Sequence, residues 1–480
     1  MSELELVKID EWRWELPKQG AMRVPGLVFA DEELLASIRH DESLQQVANV
    51  ACLPGIISRS FAMPDIHLGY GFAIGGVAAM DIEKGVISPG GVGYDINCGV
   101  RLVRTHLKAD EIKDKLHEIA NQLFRDVPSG VGSKGAIGKL SKSEERDILV
   151  KGAAWAVSHG MGTEEHLDCT EERGQIAGAD PSFVSEHAMQ RGSDQTGTLG
   201  SGNHFLEISR VTDIYDKTAA DAFGLWEGQA VMQIHCGSRG LGHQICTDYV
   251  KTMLNASRRY GIELPDRELA AGPITSDEGR QYFAAMACAA NYAWNNRQVI
   301  MWRAMAALEK ALSIGPRALG AALVWDVAHN IAKFEEHVVD GEMKKVLIHR
   351  KGATRAFGPG RKELPDRYAR VGQPVLIPGD MGRQSFVCVG TDAAEETFSS
   401  TCHGAGRNLS RHAAKNKARG RNIIKELAAK GIVIRAEGMG TVVEEMPEAY
   451  KDVAEVVKVM HEAGISRKVA RVVPMAVVKG

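Results

Sequence analysis

The sequence predicts an α+β fold: a single large domain with a central β core, surrounding helices and a helical insertion. Three observations predict it. Short apolar runs bounded by Gly and Pro recur along the chain, as buried strands do. Stretches with apolar residues at helical spacing lie between them. Loops rich in His, Asp, Arg and Gly follow the strand-like runs from about residue 65 to residue 480, which argues against independent domains.

Val50–Ile57 and Gly75–Met80 read as buried strands, with a loop from Met63 to Gly71 between them that carries Asp65 and His67. A helix starts near Ala109, because Ile112, Leu116, Ile119 and Leu123 fall on one face. Another starts near Ser143 and includes Ile148, Leu149 and Trp155. Residues 126–140 and 160–200, rich in Gly, Ser and Asp, read as loops. The stretch from about 245 to 313 changes character. Glu278–Leu312 has no Pro and no Gly after Gly279, which predicts one long helix or two joined at a kink, within the helical insertion. Strand patterns return at Leu323–Trp325, Lys345–Ile348, Pro374–Ile377 and Ser385–Val389. A basic helix around Arg411–Arg419 follows, then strands and a short helix from about Met446.

The 480 residues carry a net charge of -3, with 44% hydrophobic and 25% charged residues. No global basic field attracts a polyanion, so any site for one must be a local patch. The eight cysteines are dispersed, with no CxxC pair, which points to a reducing compartment rather than a disulfide framework. The first residues lack a signal-peptide apolar run, and no stretch approaches the ~20 apolar residues of a membrane span. The expectation is a cytoplasmic protein.

The stretch Ser88–Arg101 packs four glycines around Asp95 and Cys98. Three residues apart in a tight loop, a carboxylate and a thiolate can face one metal ion. Three histidines, His204, His235 and His329, sit in or just after strand-like runs, where a rigid element can fix an imidazole ligand. Together these five residues suffice for a binuclear centre, a recurring device for phosphoryl chemistry. Each of these histidines taken alone reads more readily as a hydrogen-bonded core residue than as a ligand, and His67, His243, His337 and His349 equally well as structural or outer groups. Cysteine with histidine by itself favours zinc.

Cys402-His403-Gly404-Ala405-Gly406-Arg407 resembles an anion-binding turn ahead of a helix. His403 there is a candidate general base, ligand or covalent nucleophile. Two further loops belong with it: the cationic His349–Arg355, suited to phosphates, and the tight turn Pro378–Ser385.

These motifs in this order, with Gly-Asn-His-Phe-Leu-Glu, His-x-Gly-Ser-Arg-Gly-Leu-Gly-His and Asp-Val-Ala-His-Asn, resemble the RtcB family of RNA-splicing ligases, from roughly Pro64 to Gly480. The resemblance implies a single catalytic domain over residues 1–480. It implies a GTP-dependent ligase that joins an RNA 3′-phosphate or 2′,3′-cyclic phosphate to a 5′-hydroxyl, in tRNA splicing or RNA repair. Its cofactors are two Mn2+ per site and GTP, so that manganese replaces the zinc of the ligand argument. The resemblance also implies archease as a candidate activator and leaves open whether it is needed. Asp95 and Cys98 match bridging metal ligands, and His204, His235 and His329 the others. His403 matches the histidine that takes GMP covalently. Nucleotide-contacting positions match Asn203, His204, Phe205, Leu206 and Glu207, then His329 and Asn330. They continue through Pro378, Gly379, Asp380, Met381 and Ser385 to the turn His403, Gly404, Ala405 and Gly406, and end at Lys479. Arg239, Arg350, Lys351 and Arg407 are candidates for a basic RNA groove. A phosphodiesterase that opens cyclic phosphates without ligation, and an RNA-binding accessory protein without turnover, are the competing classes.

Overall fold

A computed structural model describes residues 4–39 and 41–480. Two large sheets dominate one domain. The first has seven strands, in the order Val7–Lys8, Arg13–Leu16, Gly26–Phe29, Ile56–His67, Ile74–Asp81, Glu342–Lys351, Asn330–Val339. The second runs Ala322–Ala328, Gly99–Lys108, Gln229–Cys236, Phe205–Ile214, Ser466–Lys479, Ser385–Gly390, Pro374–Ile377, with Val433–Ala436 pairing in parallel to Ser466–Lys479. Both sheets are largely antiparallel, and the chain crosses between them at His329, which separates strand Ala322–Ala328 from strand Asn330–Val339.

Period-2 alternation sorts side chains to the two faces of the first sheet. Val77, Ala79, Val346 and Ile348 enter one core with the helices Glu32–Ile38, Ser43–Val50 and Val453–Glu462. Ala78, Met80 and Leu347 enter another. That second core is built around the helix Asp277–Leu312, which is one unbroken element of 36 residues. Its first half packs there, and Ile300, Met301, Ala304 and Leu308 pack under the second sheet. The helix starts at Ser276, whose side chain accepts from the Gly279 N–H, and stops at Ser313 in a left-handed conformation. It runs buried through the molecule, so helices are not confined to the outside. Within it Asn291, Asn295, Asn296, Arg297 and Gln298 are all fully buried.

Several local expectations shift. Val50 ends a helix rather than opening a strand, and the strand starts at Ile56 after the turn through Gly55. That strand runs to His67, so Asp65 and His67 stand on a sheet and not in a loop. The helix expected from Ser143 to Trp155 is cut at Gly152, whose φ of 56° and ψ of -138° separate Lys142–Lys151 from Ala153–Ser158. Residues 160–200 contain two short helices, Glu164–Asp168 and Glu186–Gly192. Among the described residues, no helix is long and apolar enough to cross a membrane.

Candidate active site

A cavity of about 340 Å³ opens where the two sheets meet. Its floor is a cluster of metal-type donors. The Asp95–Cys98 turn leads into strand Gly99–Lys108; His204 precedes strand Phe205–Ile214; His235 ends strand Gln229–Cys236; His329 lies at the sheet crossing. Adjacent strands thus deliver all five side chains to one point. The Cys98 Sγ lies 3.2 Å from His235 Nε2 and 3.5 Å from His204 Nε2. His235 Nε2 is 3.2 Å from His329 Nε2, and His204 Nε2 is 2.8 Å from Asp95 Oδ2. Two triads result, Cys98–His235–His329 and Asp95–Cys98–His204, each with its ligand atoms within 4.8 Å of one another. Cys98 is common to both, and Asp95 belongs to one.

The electrostatics divide the donors: burial lowers His204, but Cys236, Asp95 and Cys98 outweigh it and hold it well above the ordinary histidine value, while the other four fit bound cations. Burial and the neighbouring Asp95 carboxylate push the Cys98 thiol up to about 12, so its ionisation requires added positive charge close by. Burial raises Asp95, but His204 outweighs it and brings the carboxyl down to about 2. Burial, with His204 beside one and His403 beside the other, holds His235 and His329 well below the ordinary histidine value. Both are therefore neutral, the form a metal needs. The His235 Nδ1 lies 3.2 Å from the Asn203 carbonyl, which orients Nε2 toward the cluster.

His403 stands on the cavity wall, after the short strand Ser400–Cys402 that pairs with Ala353–Arg355. Asp65, fully buried, accepts three bonds on Oδ2: from His403 Nδ1 at 2.5 Å, the His403 N–H at 3.1 Å and the Gly404 N–H at 3.3 Å. Nδ1 is thereby committed as donor, which leaves the Nε2 lone pair free. The turn passes so close to the Asp65 strand that a Cβ on Gly406, at φ 70°, would meet the Asp65 carbonyl oxygen at 2.3 Å. The His403 and His329 rings are 4.9 Å apart, so His403 sits directly over the donor cluster.

The opposite end of the cavity pairs a buried carboxyl with a buried ammonium. Glu207 is buried on strand Phe205–Ile214, and burial pushes its carboxyl up to about 7. It accepts from the Ser209 hydroxyl at 2.5 Å. Lys479 lies 5.9 Å from the Phe205 ring centre, and burial lowers its ammonium. Asn203, Phe205, Asn330, Pro378, Gly379, Met381, Ser385, Gly404 and Ala405 also line the cavity. Asn330 bridges its walls, donating to the Asp95 carbonyl at 3.1 Å and accepting from the Gly352 N–H at 2.9 Å. Asp380 reaches the cavity but is engaged: it accepts from the Gly382 N–H at 3.0 Å and pairs with the Arg383 guanidinium. Leu206 alone turns away, into the core beneath the second sheet.

The basic candidates separate. Lys351 and Arg407 line the cavity. Arg239 is tied to Thr198 Oγ1 at 3.1 Å and to the Gly130 carbonyl at 3.1 Å. Arg350 is wholly buried in a bidentate pair with Glu335, at 2.6 and 2.8 Å, and so is unavailable to a groove. It belongs to an internal charge network, because alternation on the strand Glu342–Lys351 turns it away from the cavity that its neighbour Lys351 lines. In the sequence Asp65 reads only as a loop acid. Its partner lies 338 residues away, and no local spacing reveals such a pair. Arg411, Glu445 and Tyr450 also line the cavity without any sequence signal.

Residues 46–480 match the family model described as tRNA-splicing ligase RtcB. Two similar proteins bear the same description: one from Thermococcus kodakarensis, 54% identical over 477 residues and 99% of both chains, and one from Archaeoglobus fulgidus, 53% identical over 478 residues and 99% of both chains. An RNA-splicing ligase RtcB from Mycobacterium bovis is 49% identical over 439 residues, covering 91% of this chain and 100% of its own. With a cavity that joins a five-donor cluster and an oriented histidine, and with relatives matched along nearly its whole length, this chain belongs to the tRNA-splicing ligase RtcB family.

Proposed function

We propose that the chain is a GTP- and manganese-dependent RNA ligase that joins RNA 3′-phosphate or 2′,3′-cyclic phosphate ends to 5′-hydroxyl ends, as in tRNA splicing or RNA repair. The observation that carries this reading is His403 itself: its Nδ1 is held by Asp65 and its ring lies over the donor cluster.

In this reading His403 Nε2 attacks the α-phosphate of GTP and pyrophosphate leaves. The guanylate then passes to the RNA 3′-phosphate, which turns a poor electrophile into one with GMP as leaving group for the 5′-hydroxyl. Asp65 supports the positive charge that grows on the imidazole. Glu207 accepts from the guanine N1–H and amino group while Phe205 and Lys479 flank the base. Asp95, Cys98, His204, His235 and His329 are the residues that would hold two Mn2+, whose chemistry when bound is neutralisation of phosphoryl charge. Lys351 and Arg407 present cations to the RNA phosphates.

Incubation with α-labelled GTP and Mn2+, followed by denaturing electrophoresis, tests the reading. The protein is expected to retain label, and His403→Ala to retain none. A wild-type protein that hydrolyses cyclic phosphate ends without ever becoming labelled would refute it.

A further inference from the structure

The turn that carries Asp95 and Cys98 is held from below by the helix Asp277–Leu312, whose Ala290 carbonyl accepts from Asn97 Nδ2 at 2.7 Å. Asn97 sits in it at φ 52°, a left-handed conformation that a non-glycine residue keeps only when its surroundings impose it. Arg297, from the middle of the buried helix Asp277–Leu312, supplies the restraint. All five N–H groups of its guanidinium are used. Nη1 donates to the Asn97 carbonyl at 2.7 Å and the Cys236 carbonyl at 2.8 Å; Nη2 donates to Asn97 Oδ1 at 3.0 Å and Asp326 Oδ1 at 2.8 Å; Nε donates to Asp326 Oδ2 at 2.9 Å.

Each acceptor adjoins a proposed metal ligand. Asn97 precedes Cys98, Cys236 follows His235, and Asp326 lies three residues before His329 on the same strand. The guanidinium also fills the space under Gly99, where a Cβ would meet Arg297 Cζ at 3.1 Å. The preceding residue, Asn296, grips the next loop: its Oδ1 accepts from the Gly197 and Thr198 N–H groups at 2.7 and 3.2 Å, and its Nδ2 donates to the Gly237 carbonyl at 3.2 Å. No other contact among the described residues ties these three ligand-bearing segments to one planar group.

We propose that Arg297 is a positioning residue that locks the Asn97 turn so that one Cys98 sulfur serves both donor triads. The inference rests on the two-ion reading above. Arg297 touches no ligand atom and acts only through the backbone it holds. A lysine in its place keeps the charge but loses the fork, since a single ammonium cannot span three segments. Arg101 still pairs with Asp326 at 2.7 Å when Arg297 is removed, so that carboxylate is not stranded.

The test is Mn2+ binding to the full-length protein, by the free-ion electron paramagnetic resonance signal, with Co2+ substitution to read the thiolate-to-metal charge-transfer band. Wild type is expected to bind two ions. Arg297→Met and Arg297→Lys are expected to weaken the weaker ion by ~10- to 100-fold, the range for loss of outer partners of metal ligands, and to shift the charge-transfer band. Thermal melting checks that the variants are folded. Two ions at wild-type affinity with an unchanged band in folded Arg297→Met overturns the proposal. Should that variant not fold, folded Arg297→Lys carries the test, and two ions at wild-type affinity with an unchanged band there overturn it equally. A wild-type protein that binds fewer than two ions refutes the two-ion reading instead, and this inference falls with it.

Discussion

Replacing Asp65 with asparagine isolates the electrostatic part of histidine activation. In the native site one carboxylate oxygen accepts from His403 Nδ1 and from two backbone N–H groups. An asparagine oxygen in that place still accepts all three, so the turn and the tautomer survive. What is lost is the negative charge facing an imidazole that, in the proposed reaction, becomes positive as it takes the guanylate. A hydrogen bond to a charged group contributes ~1.5–3 kcal/mol against ~1 for a neutral one. The expected loss is therefore about 1–2 kcal/mol in the barrier, or roughly 5- to 30-fold in the guanylylation rate. Asp65→Ala, which strands three donors beside a buried site, should cost more than 100-fold. The assay is single-turnover transfer of label from α-labelled GTP, run beside the sealing of RNA that already carries a 3′-guanylate. Sealing does not require the histidine–guanylate bond, so Asp65→Asn should leave it near the wild-type rate. Equal losses in the two steps would show that Asp65 supports the whole site and not His403.

Three further outcomes follow from the same geometry. His403→Ala should form no covalent guanylate yet seal pre-capped RNA, whereas Asp95→Ala should fail at both because the donor cluster is damaged; a folded, metal-replete His403→Ala that cannot seal would assign His403 a second task. Glu207 must be ionised to accept two guanine donors, and its carboxyl titrates at about 7. GTP affinity should therefore be full above that pH and fall as pH drops through it, approaching tenfold per unit, while Glu207→Gln should flatten the profile and narrow the preference for GTP over ATP; a pH-independent wild-type affinity would remove Glu207 from the base pocket. Arg350→Ala leaves Glu335 buried without its bidentate partner and should destabilise the fold by ~3–5 kcal/mol in denaturant unfolding, where a solvent-facing RNA contact would change stability little.

Much of the site was legible because its parts are local. Asp95 and Cys98 stand three apart among glycines, and His403 heads a Gly-Ala-Gly turn, so each motif carries its own chemistry within a few residues. Leu206 shows the limit of reading a contiguous motif as a contiguous surface. On a strand alternate side chains face opposite ways, so Phe205 and Glu207 reach the cavity while Leu206 enters the core. Arg350 failed for a related reason: a run of cations looks like a phosphate loop in sequence, but on a strand buried on both faces one of them became half of an internal ion pair.

By itself the sequence determined the mixed fold class, the strands that begin or end at chemical motifs, the face of the helix near Ile112–Leu123, and the types of donor available. Those depend on periodicity and on chemistry within a few residues. Only the tertiary structure decided which donors gather into each triad, with Cys98 in both, that Asp65 holds His403 across 338 residues, and that Arg297 reaches three donor-bearing segments from inside a buried helix. Each of these depends on strand order and sheet crossing, which place residues distant in the chain a few ångströms apart. Local residue preferences carry no trace of such a meeting, because each partner taken alone is an ordinary buried acid, thiol or arginine.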